Sequence, residues 1–148
     1  MQTAHQTSTP APADHGAGTQ LRALRWLAIA ISLLIVVMAF LAGRGFFQAE
    51  PGLITGHGHL GNGIFALAAL QVGLGYLAFQ RGMVHRNLVL LMGLILVLLV
   101  AQIGLGYAGS RNNNGAAVAW HLPNGVLLMG ASTLNAVLLW LRPGGQRP

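Results

Sequence analysis

Two segments of this chain carry the same uncommon set of side chains, His59-Leu60-Gly61-Asn62-Gly63 and His121-Leu122-Pro123-Asn124-Gly125. On a helix the His, the Asn three places on and the Gly four places on share one face. An imidazole binds a metal through one ring nitrogen and needs a partner for the other. Asn62 and Asn124 supply either that partner or a hydrogen bond across to a neighbouring helix. Gly63 and Gly125 remove the side chain one turn below each His, which leaves room for a flat macrocycle; close helix packing is the other reading of the same glycines. His59 and His121 together point to a bis-imidazole iron site, a heme b held noncovalently. The chain has no Cys, which excludes iron–sulfur clusters, thiolate metal sites and thioether-linked heme.

Such a pair works only if two helices carry both imidazoles to one depth, and the hydropathy pattern supplies them. Apolar segments run from about Trp26 to Gly43, Gly58 to Phe79, Asn87 to Tyr107 and Ala117 to Leu141. Each is close to the roughly 20 residues that cross a 30 Å hydrocarbon layer. The second and fourth spans then run the same way, so His59 and His121 each sit about one turn inside the same end. The shift that lays His59 on His121 also lays the first span on the third, with Leu41 on Ile103, which predicts a duplicated helical hairpin.

Composition agrees with lipid as the solvent. Apolar residues make up 54% of the 148 residues and charged residues 7%, against roughly a quarter charged in soluble domains. The net charge of +6 comes from eight arginines, which lie between the apolar segments and not on one nucleic-acid-binding face. Arg22, Arg25, Arg81, Arg86, Arg142 and Arg147 fall on one side of the four spans, Arg44 and Arg111 on the other. The positive-inside rule therefore predicts both termini in the cytoplasm, with Arg44 and Arg111 on the outer side near the proposed iron. There they are placed to pair with heme propionates.

The remaining polar residues are assigned more plainly. The stretch 1–21, polar and rich in Ala, Thr, Pro, Gly and Gln, is expected to be a disordered cytoplasmic tail containing His5 and His15, and 143–148 a second cytoplasmic tail. His57, two residues from His59, points to a different helix face and is read as interfacial, and His85 as solvated in a cytoplasmic loop. Gln102 lies near the outer side, where it can touch a bound group, whereas Gln71 sits about 18 Å below His59 by helical rise.

A four-helix unit with a His early in its second and fourth spans, the His-Leu-x-Asn-Gly segment and the stretch Gln102-Ile103-Gly104-Leu105-Gly106 resembles heme A synthases. The resemblance covers one four-helix half-unit, from about Arg22 to Arg142, and implies heme ligation by His59 and His121. The family's catalytic unit carries Glu-x-x-His-Arg at the second span; Gly56 and Leu60 stand at the Glu and Arg places here, and the Cys pair of some members is absent. Ligation carries over to His59 and His121, while the missing Glu argues against the oxygenation chemistry.

The sequence thus predicts an all-α membrane protein, a four-transmembrane-helix bundle over 22–142, in a bacterial plasma membrane, to which the Arg-only, Ala-, Leu- and Gly-rich composition points. Its expected role is that of a b-type cytochrome-like protein for electron transfer or heme handling, with no nucleic-acid partner. The alternatives are a half-size heme A synthase-like enzyme acting on a farnesylated heme precursor, with a homodimer in place of the tandem arrangement, and a heme-free accessory subunit of a respiratory or photosynthetic membrane complex.

Overall fold

The structure, a computed structural model, describes residues 15–142. The expected tails over 1–14, with His5, and over 143–148 lie outside the described residues. Four helices follow one another: α1 (His15–Phe47), α2 (Pro51–Gln80), α3 (Arg86–Asn112) and α4 (Gly115–Leu141). All four are long and apolar enough to cross a membrane. At 1.5 Å per residue they are roughly 40–50 Å long, more than a hydrocarbon core requires. Residues 15–21, expected in the tail, open α1 instead. Leu21 is buried, and Gln20 Nε2 donates to the Leu74 carbonyl at 3.0 Å.

Local chemistry sets the ends. Gly82, at φ +68°, takes the left-handed conformation after α2. Its N–H reaches the Phe79 carbonyl at 2.9 Å, and the Met83 N–H reaches Ala78 at 2.8 Å, the paired bonds of a Schellman stop. Pro51 opens α2, where a missing N–H costs nothing. Asn113 closes α3 in the left-handed region, and the Asn114 side chain caps α4 by accepting from the Ala117 N–H at 3.1 Å.

The inward-facing residues follow a seven-residue repeat, the spacing of left-handed helix packing. On α1 the seam is Leu21, Leu24, Ala28, Ile31 and Ile35; on α3 it is Leu88, Met92, Ile95 and Leu99. On α2 it runs through Gly61, Ile64, Ala68, Gln71, Gly75 and Ala78, and on α4 through Ala117, Leu128, Ser132, Asn135 and Leu139. Neighbours pack in the order α1–α2–α3–α4 and back to α1, so α2 and α4 face each other across the diagonal. Two apolar clusters fill the interior. One, with Leu24, Ala78, Leu88 and Leu139, lies at the terminal end, where α1 begins and α4 finishes. The other, with Ile31, Ile64, Leu99 and Leu128, lies beyond it.

Large apolar side chains cover the outside, among them Leu33, Val97, Leu127 and Val126. This inverted surface is what lipid solvation requires. The terminal end is tied by Arg25, whose Nε donates to the Leu139 carbonyl at 2.9 Å and whose Nη2 donates to the Arg142 carbonyl. Its guanidinium also lies over Trp140, which meets Trp26 edge-on at 5.7 Å.

Candidate functional site

The seam phase decides which imidazoles enter the bundle. His57 stands four residues before Gly61 and seven before Ile64, so it continues the α2 seam; His59 is two residues out of phase and lies on the exposed outer face. On α4, His121 falls four residues after Ala117 and seven before Leu128, within the seam. The structure therefore brings His57, and not His59, against His121, with ring centroids 6.1 Å apart and planes inclined by 56°.

The two copies of His-Leu-x-Asn-Gly consequently face different ways. Asn124 is turned inward, where its Nδ2 donates to Gln102 Oε1 at 2.6 Å and to the Leu98 carbonyl at 3.0 Å. Gly125 lies close by, and a Cβ there would stand 3.2 Å from Gln102 Nε2, crowding that amide. Asn62 is exposed, and its Nδ2 reaches only the Tyr107 hydroxyl, at 3.5 Å. Nothing lies within 4 Å of a Cβ built on Gly63, so that glycine clears no room beside an inward imidazole. Gly61 and Gly106 occupy the places next to the facing rings. A Cβ on Gly106 would stand 3.3 Å from His121 Cε1, and one on Gly61 3.2 Å from the Met38 methyl.

Hydrogen bonding fixes the state of one ring. His57 Nδ1 lies 2.9 Å from the Met38 carbonyl. A carbonyl only accepts, so Nδ1 carries the proton, the tautomer that in a neutral ring would leave the Nε2 lone pair free. This is the arrangement in which a backbone carbonyl orients a ligand imidazole. His121 Nδ1 is buried with no hydrogen-bond partner among the described residues, a cost unless another group engages the ring.

Arg44 and Arg111 do stand at the distal end, but each is taken up on its own helix. Arg44 donates to Gln48 Oε1 at 3.0 and 2.6 Å and lies over Phe40, and Arg111 lies over the Tyr107 ring at 4.7 Å. Among the described residues no three His, Asp or Glu side chains gather into a metal-binding group. A metal between His57 and His121 would thus take two protein ligands, with its other positions filled by a ligand of its own, as a macrocycle does. Two imidazoles on one ion, each bound at about 2.0–2.1 Å, hold their centroids roughly 6 Å apart, the separation found here. Around them Met38, Gln102, Gly106 and Asn124 are part-buried, while Gly61 and Ala117 on the same seams are buried. The donor pair is one that would hold a heme iron.

Sequence reasoning set His57 aside as interfacial, did not single out Ser132 or Asn135, and left Gln71 without a role. The signal that finds them is the heptad phase, since His57, Ile64 and Gln71 are spaced by sevens, as are His121, Leu128 and Asn135. Comparison with models of known protein families, with characterised proteins and with solved structures finds no match, so the functional reading rests on this geometry.

Proposed function

We propose that this chain is a multi-pass membrane b-type heme protein in which His57 and His121 supply the axial imidazoles, for electron transfer or heme handling near one membrane face. The observation that carries the reading is the facing of two seam histidines, with ring centroids 6.1 Å apart, toward the distal end of the bundle. A heme held by His57 and His121 would supply one-electron redox chemistry, and ligation by two imidazoles would favour electron transfer over oxygen activation. The chain's own part is positional. The Met38 carbonyl holds the His57 tautomer, and the Asn124–Gln102 pair braces α4 against α3 one turn from His121. Glu50, the one acidic side chain among the described residues, is exposed before α2, so among the described residues no helix-borne carboxylate is available for the oxygenation chemistry of a heme A synthase.

The reading includes orientation. Five described arginines (Arg22, Arg25, Arg81, Arg86 and Arg142) lie at the terminal end and two (Arg44 and Arg111) at the distal end, an asymmetry that by the positive-inside rule favours cytoplasmic termini, with the imidazoles toward the outer face. Single cysteines at Gln48 and Met83 test it: an impermeant thiol reagent added to intact cells should label position 48 alone, and labelling of 83 alone reverses the topology. Ligation is tested by absorption spectroscopy of the purified protein, which should show the sharp reduced bands of low-spin bis-imidazole heme. A protein that takes up no heme would return the fold to a structural role.

The hairpin duplication takes a different register once the seams are aligned. Seam residues then pair as Leu24 with Leu88, Ile31 with Ile95, Ile64 with Leu128 and His57 with His121. The His-Leu-x-Asn-Gly match, which pairs His59 with His121, is two residues out of this register. We read the chain as two related hairpins about a pseudo-twofold axis that passes between His57 and His121.

A further inference from the structure

Fourteen residues beyond His57 and His121 on the same seams stand Gln71 and Asn135, two heptads and roughly 21 Å further along the bundle. Both are 1% exposed, as is Ser132 one turn before Asn135. They occupy the level between the two apolar clusters: on α2, Gln71 follows Ala68 of one cluster and precedes Ala78 of the other, and on α4, Asn135 lies between Leu128 and Leu139. Gln71 Nε2 and Asn135 Oδ1 have no hydrogen-bond partner among the described residues, so these amides are not bonded to each other. An unpaired buried amide costs about 1–3 kcal/mol, and two at one level across the bundle diagonal call for a shared partner.

We propose that this layer is a water-binding site: one buried water accepts from Gln71 Nε2 and donates to Asn135 Oδ1, bridging α2 and α4. Ser132 completes it. Its hydroxyl donates to the Met129 carbonyl at 3.0 Å, which leaves the oxygen lone pairs to accept the second water proton. Three bonds are the usual complement of a buried water. Water suits the layer better than an ion, because exchanging the O and N of either amide leaves a group that water still satisfies. Apolar packing between helices gives little preference for one axial register in lipid, so a polar bridge between α2 and α4 also holds those helices, and thus the two imidazoles, at matching depths. The site stands on the orphaned amides alone and does not depend on heme ligation.

Water-edited solid-state NMR on the full chain, labelled with 15N-glutamine and embedded in phosphatidylcholine–phosphatidylglycerol bilayers, tests the proposal. The Gln71 side-chain amide is assigned as the signal lost in Gln71→Leu. In the wild type this amide should receive magnetisation from water as fast as an exposed amide such as Gln48, and Asn135→Leu should abolish that transfer while the Gln71 signal persists. A wild-type Gln71 amide with no water transfer overturns the proposal, as does transfer unchanged by Asn135→Leu. The wild-type measurement stands even if a variant fails to fold.

Discussion

The terminal and distal parts of the bundle are built on one seven-residue seam yet closed to different degrees. Toward the termini the seam positions are Leu, Ile, Ala and Met, with Gly75 and the Gln71, Ser132 and Asn135 layer among them, nearly all sealed, and Arg25 ties α1 to the end of α4. Beyond Ile35 and Ile64 the same seam carries Met38, His57, Gln102, Gly106, His121 and Asn124, which are part-buried, beside Gly61 and Ala117, which are buried. The difference lies in closure: apolar layers with one buried amide layer fill the terminal part, and part-buried polar side chains stand among glycines toward the other end.

The largest effect that would sharpen this contrast comes from opening a sealed layer. Ile31→Ala removes a side chain that is 1% exposed and should cost about 2–5 kcal/mol, whereas Met38→Ala, part-buried in the distal seam, should cost less than half as much. Reversible unfolding in mixed micelles measures both, and equal losses would erase the distinction between the two parts.

A smaller change probes the polar brace. Gln102→Leu removes the acceptor that Asn124 Nδ2 meets at 2.6 Å, leaving the Leu98 carbonyl as its described partner. The expected loss is about 1–2 kcal/mol, and it should disappear in an Asn124→Leu background if the two side chains act as a pair.

The smallest expected effects separate glycines that look alike in sequence. A Cβ on Gly63 meets nothing within 4 Å, while one on Gly45 would stand 2.8 Å from Ile54 Cδ1 and 3.2 Å from the Ile54 backbone nitrogen. Gly63→Ala should therefore be neutral or stabilise by up to about 1 kcal/mol through helix propensity, and Gly45→Ala should destabilise the α1–α2 hairpin by about 1 kcal/mol or more. Helical circular dichroism against temperature distinguishes the two, and a destabilising Gly63→Ala would show that this face of α2 is covered.

The four helices were legible because runs such as Leu27–Ala42 and Leu88–Ala101 are continuous and apolar. Their ends were not: the polar residues of 15–21 and the Gly- and Asn-rich residues near 51–56 and 108–112 continue helices past the apolar runs, through seam contacts and caps that composition does not reveal. The site was half legible. His121 lies where the repeated motif puts it, but the repeat also favoured His59, because identical letters outweighed the burial phase, which recurs in a register two residues away and selects His57. Gln71 and Asn135 escaped for the same reason, since their shared level appears only when the seams are aligned by sevens.

The most direct measurement is the low-spin heme signal, by electron paramagnetic resonance and reduced absorption bands, in three variants purified alike. His57→Ala and His121→Ala should each abolish or strongly weaken it, while His59→Ala, on the exposed face of α2, should retain it at wild-type intensity. Loss of the signal in His59→Ala with its retention in His57→Ala would contradict the account.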